Sequence, residues 1–157
     1  MKKTTLLPTL ALGIVALSTL TGCSVVDELR NEASSEFAST AELASDWKQD
    51  AAWVPGDATD IRTRFSTVSG TAILRATTTS PLDPELCAEV DRQSGPAFEQ
   101  DWSGDPYVDN AWACDNWTVV ATDDGWYGWT PNHPDEQAQS PSTAGDPATT
   151  PTAPAGE

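Results

Sequence analysis

The fold is decided by the stretch from residue 117 to residue 130, which reads WTVVATDDGWYGWT. Residues 117–122 are rich in β-branched side chains and residues 126–130 in aromatic ones, so both segments predict strands. The sequence Asp-Asp-Gly at 123–125 is a turn of the kind that closes a hairpin. Successive side chains of a strand point to opposite faces, which places Trp126 on one face and Tyr127 and Trp129 on the other. One face must pack on the rest of the domain, so we expect the other to keep an exposed aromatic surface.

A second hairpin is predicted upstream. Residues 58–66 alternate between apolar and polar side chains, residues 72–77 form an apolar run, and a turn around Gly70 separates them. Ser39 with Glu42 three residues later fits a capping box, which predicts a short helix over 40–50. Asp83 followed by Pro84 predicts the start of a second short helix.

The predicted fold is therefore a small α+β domain over residues 40–134, with an antiparallel sheet of about four strands and one or two short helices. Residues 91–111, interrupted by Gly and Pro, are expected to be loop. Residues 23–39 are acidic and rich in Ser and Ala, and predict a tether. Residues 135–157 are rich in Pro, Thr and Ala, and predict a disordered tail.

The N-terminus combines a charged start, an apolar run and a cysteine. Lys2 and Lys3 precede an apolar run over 6–20, which suits a signal peptide and is short for a membrane span. The run ends in Leu20-Thr21-Gly22-Cys23, which resembles a lipobox. That resemblance implies removal of residues 1–22 and attachment of a diacylglyceryl group to Cys23 Sγ. Two acyl chains are sufficient for stable membrane anchoring. The expected location is the extracytoplasmic face of the cell membrane.

Assigning Cys23 to lipid leaves Cys87 and Cys114 as the remaining cysteines of the chain. Outside the cytoplasm two such thiols normally oxidise to each other, so we expect a structural disulfide. In a small domain a loop of this size contributes about 3–4 kcal/mol in the chain-entropy model. A redox pair two residues apart and a zinc site with several thiols are both disfavoured by this spacing and count.

The chain is strongly acidic, with a formal net charge of −16. This charge disfavours binding to nucleic acid and to anionic lipid headgroups. It is typical of a soluble surface domain, and it is also compatible with a cationic partner or loosely held divalent ions.

Tryptophan is over-represented, with seven residues in the chain. The simplest explanation is that a small core uses Trp for bulk. The alternative is a glycan-binding surface, in which aromatic rings stack on sugars and nearby Asp and Asn bind hydroxyl groups. Trp126, Tyr127 and Trp129 are the candidate binding patch for that alternative.

Catalytic and metal signatures are weak. The segment from Asp101 to Trp112 begins like a calcium loop, but it has Pro106 and Trp112 where an EF-hand has Gly and Glu. His133, the single histidine, lies beside the predicted tail and is a poor candidate for a catalytic triad. We therefore expect no catalytic residue, no bound metal and no cofactor.

Four motifs lie between Trp47 and Pro134: WVPGDATDI at 53–61, AILR at 72–75, Leu86-Cys87 and DDGWYGWTP at 123–131. In these motifs the chain resembles a family of small, uncharacterised lipoproteins from high-GC Gram-positive bacteria. The resemblance implies a location in the cell envelope and no known activity. The expected function is that of a membrane-anchored, non-catalytic binding or structural module. The alternative is a lipoprotein that binds peptidoglycan or another envelope glycan.

Overall fold

The computed structural model describes residues 31–141 as one sheet with two short helices. The elements are β1 (Glu32–Phe37), α1 (Thr40–Asp46), β2 (Thr59–Ser66), β3 (Ala72–Thr77), β4 (Ala88–Asp91), β5 (Asn110–Cys114), β6 (Trp117–Thr122), β7 (Gly125–Thr130) and α2 (Pro134–Gln137). The predicted signal peptide, Cys23 and the predicted tail beyond residue 141 lie outside the described residues.

The sheet is antiparallel, with the strand order β1-β2-β3-β7-β6-β5-β4. The four predicted strands are confirmed as the central strands β2, β3, β6 and β7. The predicted size of the sheet is wrong, because it has seven strands and not about four. The three strands that sequence reasoning missed lie toward the two edges of the sheet.

Strands β4 and β5 come from the region predicted to be helix and loop. Asp83 accepts the backbone N–H groups of Leu86 and Cys87, but this turn does not continue as a helix. The chain instead becomes extended at Ala88 and pairs with β5. A tight turn at Asp115 and Asn116 then joins β5 to β6. Asp115 has φ of 55°, a left-handed conformation that Asp and Asn tolerate better than most residues.

The predicted tether is wrong for residues 32–37, which form β1 and pair with β2 along their whole length. The Ala and Glu residues of β1 have low strand propensity, so no local pattern indicates a strand here. Pairing with β2 and burial of Phe37, which is 7% exposed, stabilise the strand. An ion pair between Glu32 and Arg64 links the two strands as well.

Helix α1 begins as predicted. The Ser39 hydroxyl accepts the Glu42 N–H, and the Glu42 carboxylate accepts the N–H of Ala38. Leu43 and Trp47 are both buried, so this short helix packs its apolar side on the sheet. The helix ends at Asp46 and not at the predicted residue 50, because Trp47 is already extended.

Both faces of the sheet are covered. On the first, called here the helix face, Ile61, Leu74 and Val119 pack beneath α1 and the segment after it, which contributes Trp47 and Trp53. On the second, called here the loop face, residues 92–109 cross the sheet. The side chains buried there are Ile73, Ala111, Val120, Tyr127 and Trp129, with Phe98, Trp102 and Val108 of the crossing segment packed over them.

Two glycines allow the covering segments to approach β7 closely. A Cβ at Gly128 would lie 2.8 Å from Trp53 on the helix face. A Cβ at Gly104 would lie 2.8 Å from the Cβ of Tyr127 on the loop face. A side chain at either position would push the covering segment away from the sheet.

The predicted disulfide is confirmed. Cys87 and Cys114 are bonded, and both are buried on the helix face. The bond links the residue before β4 to the last residue of β5. It therefore fastens the outermost strand of this edge to its neighbour.

Candidate functional site

An open groove of about 690 Å³ lies at one end of the sheet. One wall is the segment after β3, and the other is the β6–β7 turn. The backbone N–H of Thr78 donates to the carbonyl of Asp124 at 3.0 Å and joins the walls. Its lining residues are Asp57, Thr59, Thr77, Thr78, Thr79, Ser80, Pro81, Ala121, Thr122, Asp123, Asp124, Gly125 and Trp126.

Trp126 supplies the aromatic part of this groove and is half-buried. Its indole N–H donates to the carbonyl of Ser80 at 3.0 Å, which fixes the ring against the wall. Its ring also meets that of Trp112 edge to face, with centroids 5.1 Å apart. The small residue Ala121 pairs with Trp126 across β6 and β7 and is exposed. The ring is therefore held rigidly beside a shallow part of the groove.

Three carboxylates line the same groove. Thr78 Oγ1 donates to Asp57 Oδ1 at 2.7 Å, and this hydrogen bond lowers the pKa of Asp57. Arg75 Nη2 donates to Asp124 Oδ1 at 2.7 Å and lowers the pKa of Asp124, with a smaller contribution from Thr122. Asp123 is exposed at the tip of the turn. At neutral pH the groove thus presents ionised acceptors beside threonine hydroxyl groups.

Of the predicted binding patch, Trp126 alone faces the groove. The predicted patch is wrong for the other two residues, since Tyr127 is 0% and Trp129 is 1% exposed. The predicted alternation of faces holds, because these two side chains lie on the loop face and Trp126 on the helix face. The expected free face is absent because residues 92–109 cover it. Arg75 of β3 holds that segment to the sheet by donating to the carbonyl of Trp102 at 2.8 Å. Arg92, the first residue of the segment, donates to the carbonyl of Val108 near its other end, also at 2.8 Å.

Sequence reasoning missed a second polar cluster, which is centred on Glu136. The predicted tail began at residue 135, yet Glu136 and Ser140 are both 0% exposed. Glu136 Oε1 accepts the backbone N–H groups of Gln93 and Ser94 at 2.6 and 3.1 Å. Its Oε2 accepts the hydroxyl groups of Ser94 and Thr118 at 2.6 and 2.8 Å and the N–H of His133 at 2.7 Å.

The carboxylate of Glu136 is held in its charged form. Burial by itself would raise the pKa of Glu136, but the hydrogen bonds from Gln93, Ser94, His133 and Thr118 outweigh burial and lower it. Trp129 Nε1 also donates to Ser94 Oγ at 2.9 Å, so the cluster connects α2, β6, β7 and the crossing segment. Every donor belongs to the protein, which makes this a structural site. A sequence signal for this cluster exists, because Glu136 follows His133 by three residues and the two fit a capping box.

Other sequence features have structural roles. His133 Nδ1 accepts the N–H of Asp135 as the cap of α2. Asp105 accepts the N–H of Tyr107 within its own turn, and no group of three potential metal ligands occurs within residues 31–141. No helix in the same range is long and apolar enough to cross a membrane.

No family model, curated protein or solved structure matches the chain. The resemblance to small lipoproteins of high-GC Gram-positive bacteria therefore stays a prediction.

Proposed function

We propose that this protein is a lipoprotein anchored through Cys23 on the extracytoplasmic face of the cell membrane. The observation that carries the proposal is the sequence Leu20-Thr21-Gly22-Cys23 directly after a charged start and an apolar run. The Cys87–Cys114 disulfide supports an extracytoplasmic location, because such bonds persist in oxidising compartments.

The folded domain acts as a non-catalytic binding or structural module. Among the groove carboxylates, Asp57 and Asp124 have lowered pKa values, whereas a general acid at neutral pH needs a raised one. Both are also engaged in fixed hydrogen bonds, to Thr78 and Arg75. His133 is occupied as a helix cap. These contacts favour recognition over chemistry.

The anchoring proposal is tested by Cys23→Ser in the producing bacterium. This change removes the thiol that would carry the lipid, so we expect an unprocessed precursor without acyl chains. Metabolic labelling with a fatty acid and the mass of the purified protein measure both effects. Cys87→Ser with Cys114→Ser is the matched control and should still be acylated. A Cys23→Ser protein that matured normally and stayed acylated would contradict the proposal.

Trp126 and its polar neighbours support glycan binding as the second candidate function. A rigid, half-buried indole beside carboxylate and hydroxyl groups suits a sugar, which offers an apolar ring face and a rim of hydroxyls. The predicted patch is here reduced to Trp126, since Tyr127 and Trp129 are buried.

We expect Trp126→Ala to abolish binding of peptidoglycan fragments, measured by calorimetry with soluble N-acetylglucosamine-containing oligosaccharides. Trp102→Ala is the matched control, because Trp102 is also half-buried but packs on the loop face and does not line the groove. Binding should survive in the control. Absence of binding to the unmodified protein, or equal loss in both variants, would rule out this site for glycans.

A further inference from the structure

The chain enters the domain at one defined end of the sheet. Glu32, the first residue of β1, pairs with Ser66, the last residue of β2. Asn31 lies directly against the following β2–β3 turn, because its carbonyl accepts the N–H of Thr67 at 2.7 Å and the Thr67 hydroxyl at 3.0 Å. The point of attachment to the preceding chain and the turn at 67–71 are therefore neighbours.

The groove lies at the other end of the same strands. Thr59 pairs with Thr77, Thr77 with Gly125, and Gly125 with Thr122, and all four line the groove. Since a strand rises about 3.4 Å per residue, the six residues of β3 separate the two ends by about 17 Å. The sheet thus has an anchored end and a groove end.

The turn at the anchored end is apolar at its tip and uncharged. Val68 is 77% exposed, and residues 67–71 read TVSGT. Glu32 nearby is neutralised by its ion pair with Arg64. Within residues 31–141 the other exposed large hydrophobic side chain is Tyr107, which lies between Asp105 and Asp109. The groove end carries Asp57, Asp123 and Asp124.

We propose that the β2–β3 turn, with Val68 at its tip, is a membrane-contact surface that seats the domain on the lipid bilayer and directs the groove away from it. This inference rests on the proposed lipid attachment at Cys23. Seven residues lie between Cys23 and Asn31, and the eight steps from one Cα to the next span at most about 29 Å.

Two forces favour this orientation over the inverted one. Val68 gains by leaving water for the interfacial region. The carboxylates of the groove end are repelled by anionic lipids, and the uncharged β2–β3 turn is not. The exposed Asp115 lies at the same end of the sheet but on the β5–β6 turn, and β7 separates the two hairpins. The groove is consequently presented to the space outside the membrane, where an envelope ligand or partner would lie.

The test uses the full lipidated protein in vesicles of phosphatidylcholine and phosphatidylglycerol. Val68→Cys and Tyr107→Cys each supply one free thiol for an environment-sensitive fluorophore, because the native cysteines are acylated or in the disulfide. We expect a blue-shifted emission from position 68 and severalfold stronger quenching there by nitroxide lipids than at position 107. Both side chains are exposed, so neither change should disturb folding, which circular dichroism verifies.

Co-flotation with the vesicles is measured on the same samples. Loss of flotation would mean that the lipid attachment itself is wrong. Normal flotation with equal quenching at positions 68 and 107 would overturn the proposed orientation alone. As a further check, Val68→Asp should reduce quenching of a fluorophore at Ser69→Cys severalfold while flotation persists.

Discussion

Glu136 shows how one buried carboxylate organises distant parts of this chain. Its hydrogen bonds come from residues 93 and 94 of the crossing segment, from residue 118 of β6 and from residue 133, the cap of α2. A buried charge is costly unless its acceptor positions are filled, and here five donors fill them. The side chain therefore secures α2 and the crossing segment to the sheet.

We predict that Glu136→Gln lowers the free energy of unfolding by about 2–4 kcal/mol, because the amide places N–H donors where the backbone and hydroxyl groups already donate. Urea unfolding followed by Trp fluorescence measures the loss. Asp135→Asn is the control, since Asp135 is exposed in the same turn, and it should change stability little. Equal stability of Glu136→Gln and the unmodified protein would contradict the role given to this carboxylate.

The same residue predicts how stability depends on pH. The pKa of Glu136 in the folded protein lies below its ordinary value of 4.5. Its stabilising contribution is therefore complete above pH 4.5 and is lost as the pH falls through the lower, folded value. We expect the unmodified protein to lose more stability than Glu136→Gln over this acid range. Parallel pH profiles of the two proteins in urea unfolding would refute the assignment.

At the scale of elements, the central strands could be predicted and the edge strands could not. β2, β3, β6 and β7 carry alternating or β-branched patterns that indicate strands on their own. β1 contains Ala, Ser and Glu, and becomes a strand because β2 offers it an unpaired edge. β4 has four residues, too few for a periodic signal. The structure of such segments depends on their neighbours.

Strand β1 yields a prediction about truncation. A chain that starts at Ser39 loses β1 and the buried ring of Phe37, so we expect its free energy of unfolding to fall by at least about 3 kcal/mol. The exposed edge of β2 should also promote aggregation. A chain that starts at Asn31 retains β1 and is the control. Denaturant unfolding and light scattering compare them, and equal behaviour of the two chains would show that β1 contributes nothing to the fold.

At the scale of the whole molecule, charge is the dominant property. The chain has 24 acidic residues against eight basic ones. Within the described residues, Arg75 donates to the crossing segment, and Arg92 donates to a carbonyl within it. Arg62 and Arg64 form ion pairs with acidic side chains of the sheet. The surplus carboxylates repel one another, and this repulsion opposes the compact state.

We therefore predict that the melting temperature rises by about 2–5 °C between 10 and 150 mM sodium chloride, as the screening length shortens. Differential scanning calorimetry measures the change. Glu85→Gln combined with Asp101→Asn removes two exposed charges and should reduce the rise without affecting the core. A melting temperature that is independent of salt would show that charge repulsion does not limit stability.

The sequence by itself determined the central hairpins, the cap of α1 and the pairing of Cys87 with Cys114. The hairpins and the cap depend on residues close together in the sequence, so they can be predicted without knowing the tertiary structure. The disulfide follows from the number of cysteines left after Cys23 is assigned to lipid. The alternation in β7 likewise correctly separated Trp126 from Tyr127 and Trp129.

Tertiary structure alone decided which of these rings remains accessible. Residues 92–109 have no periodic pattern, yet they bury Tyr127 and Trp129, because Arg75 and Glu136 hold that segment across the sheet. The groove beside Trp126 also depends on tertiary structure. Its walls are the β6–β7 turn and the segment after β3, which meet only when β3 pairs with β7. Exposure of a side chain depends on contacts between residues far apart in sequence, and no local pattern specifies those contacts.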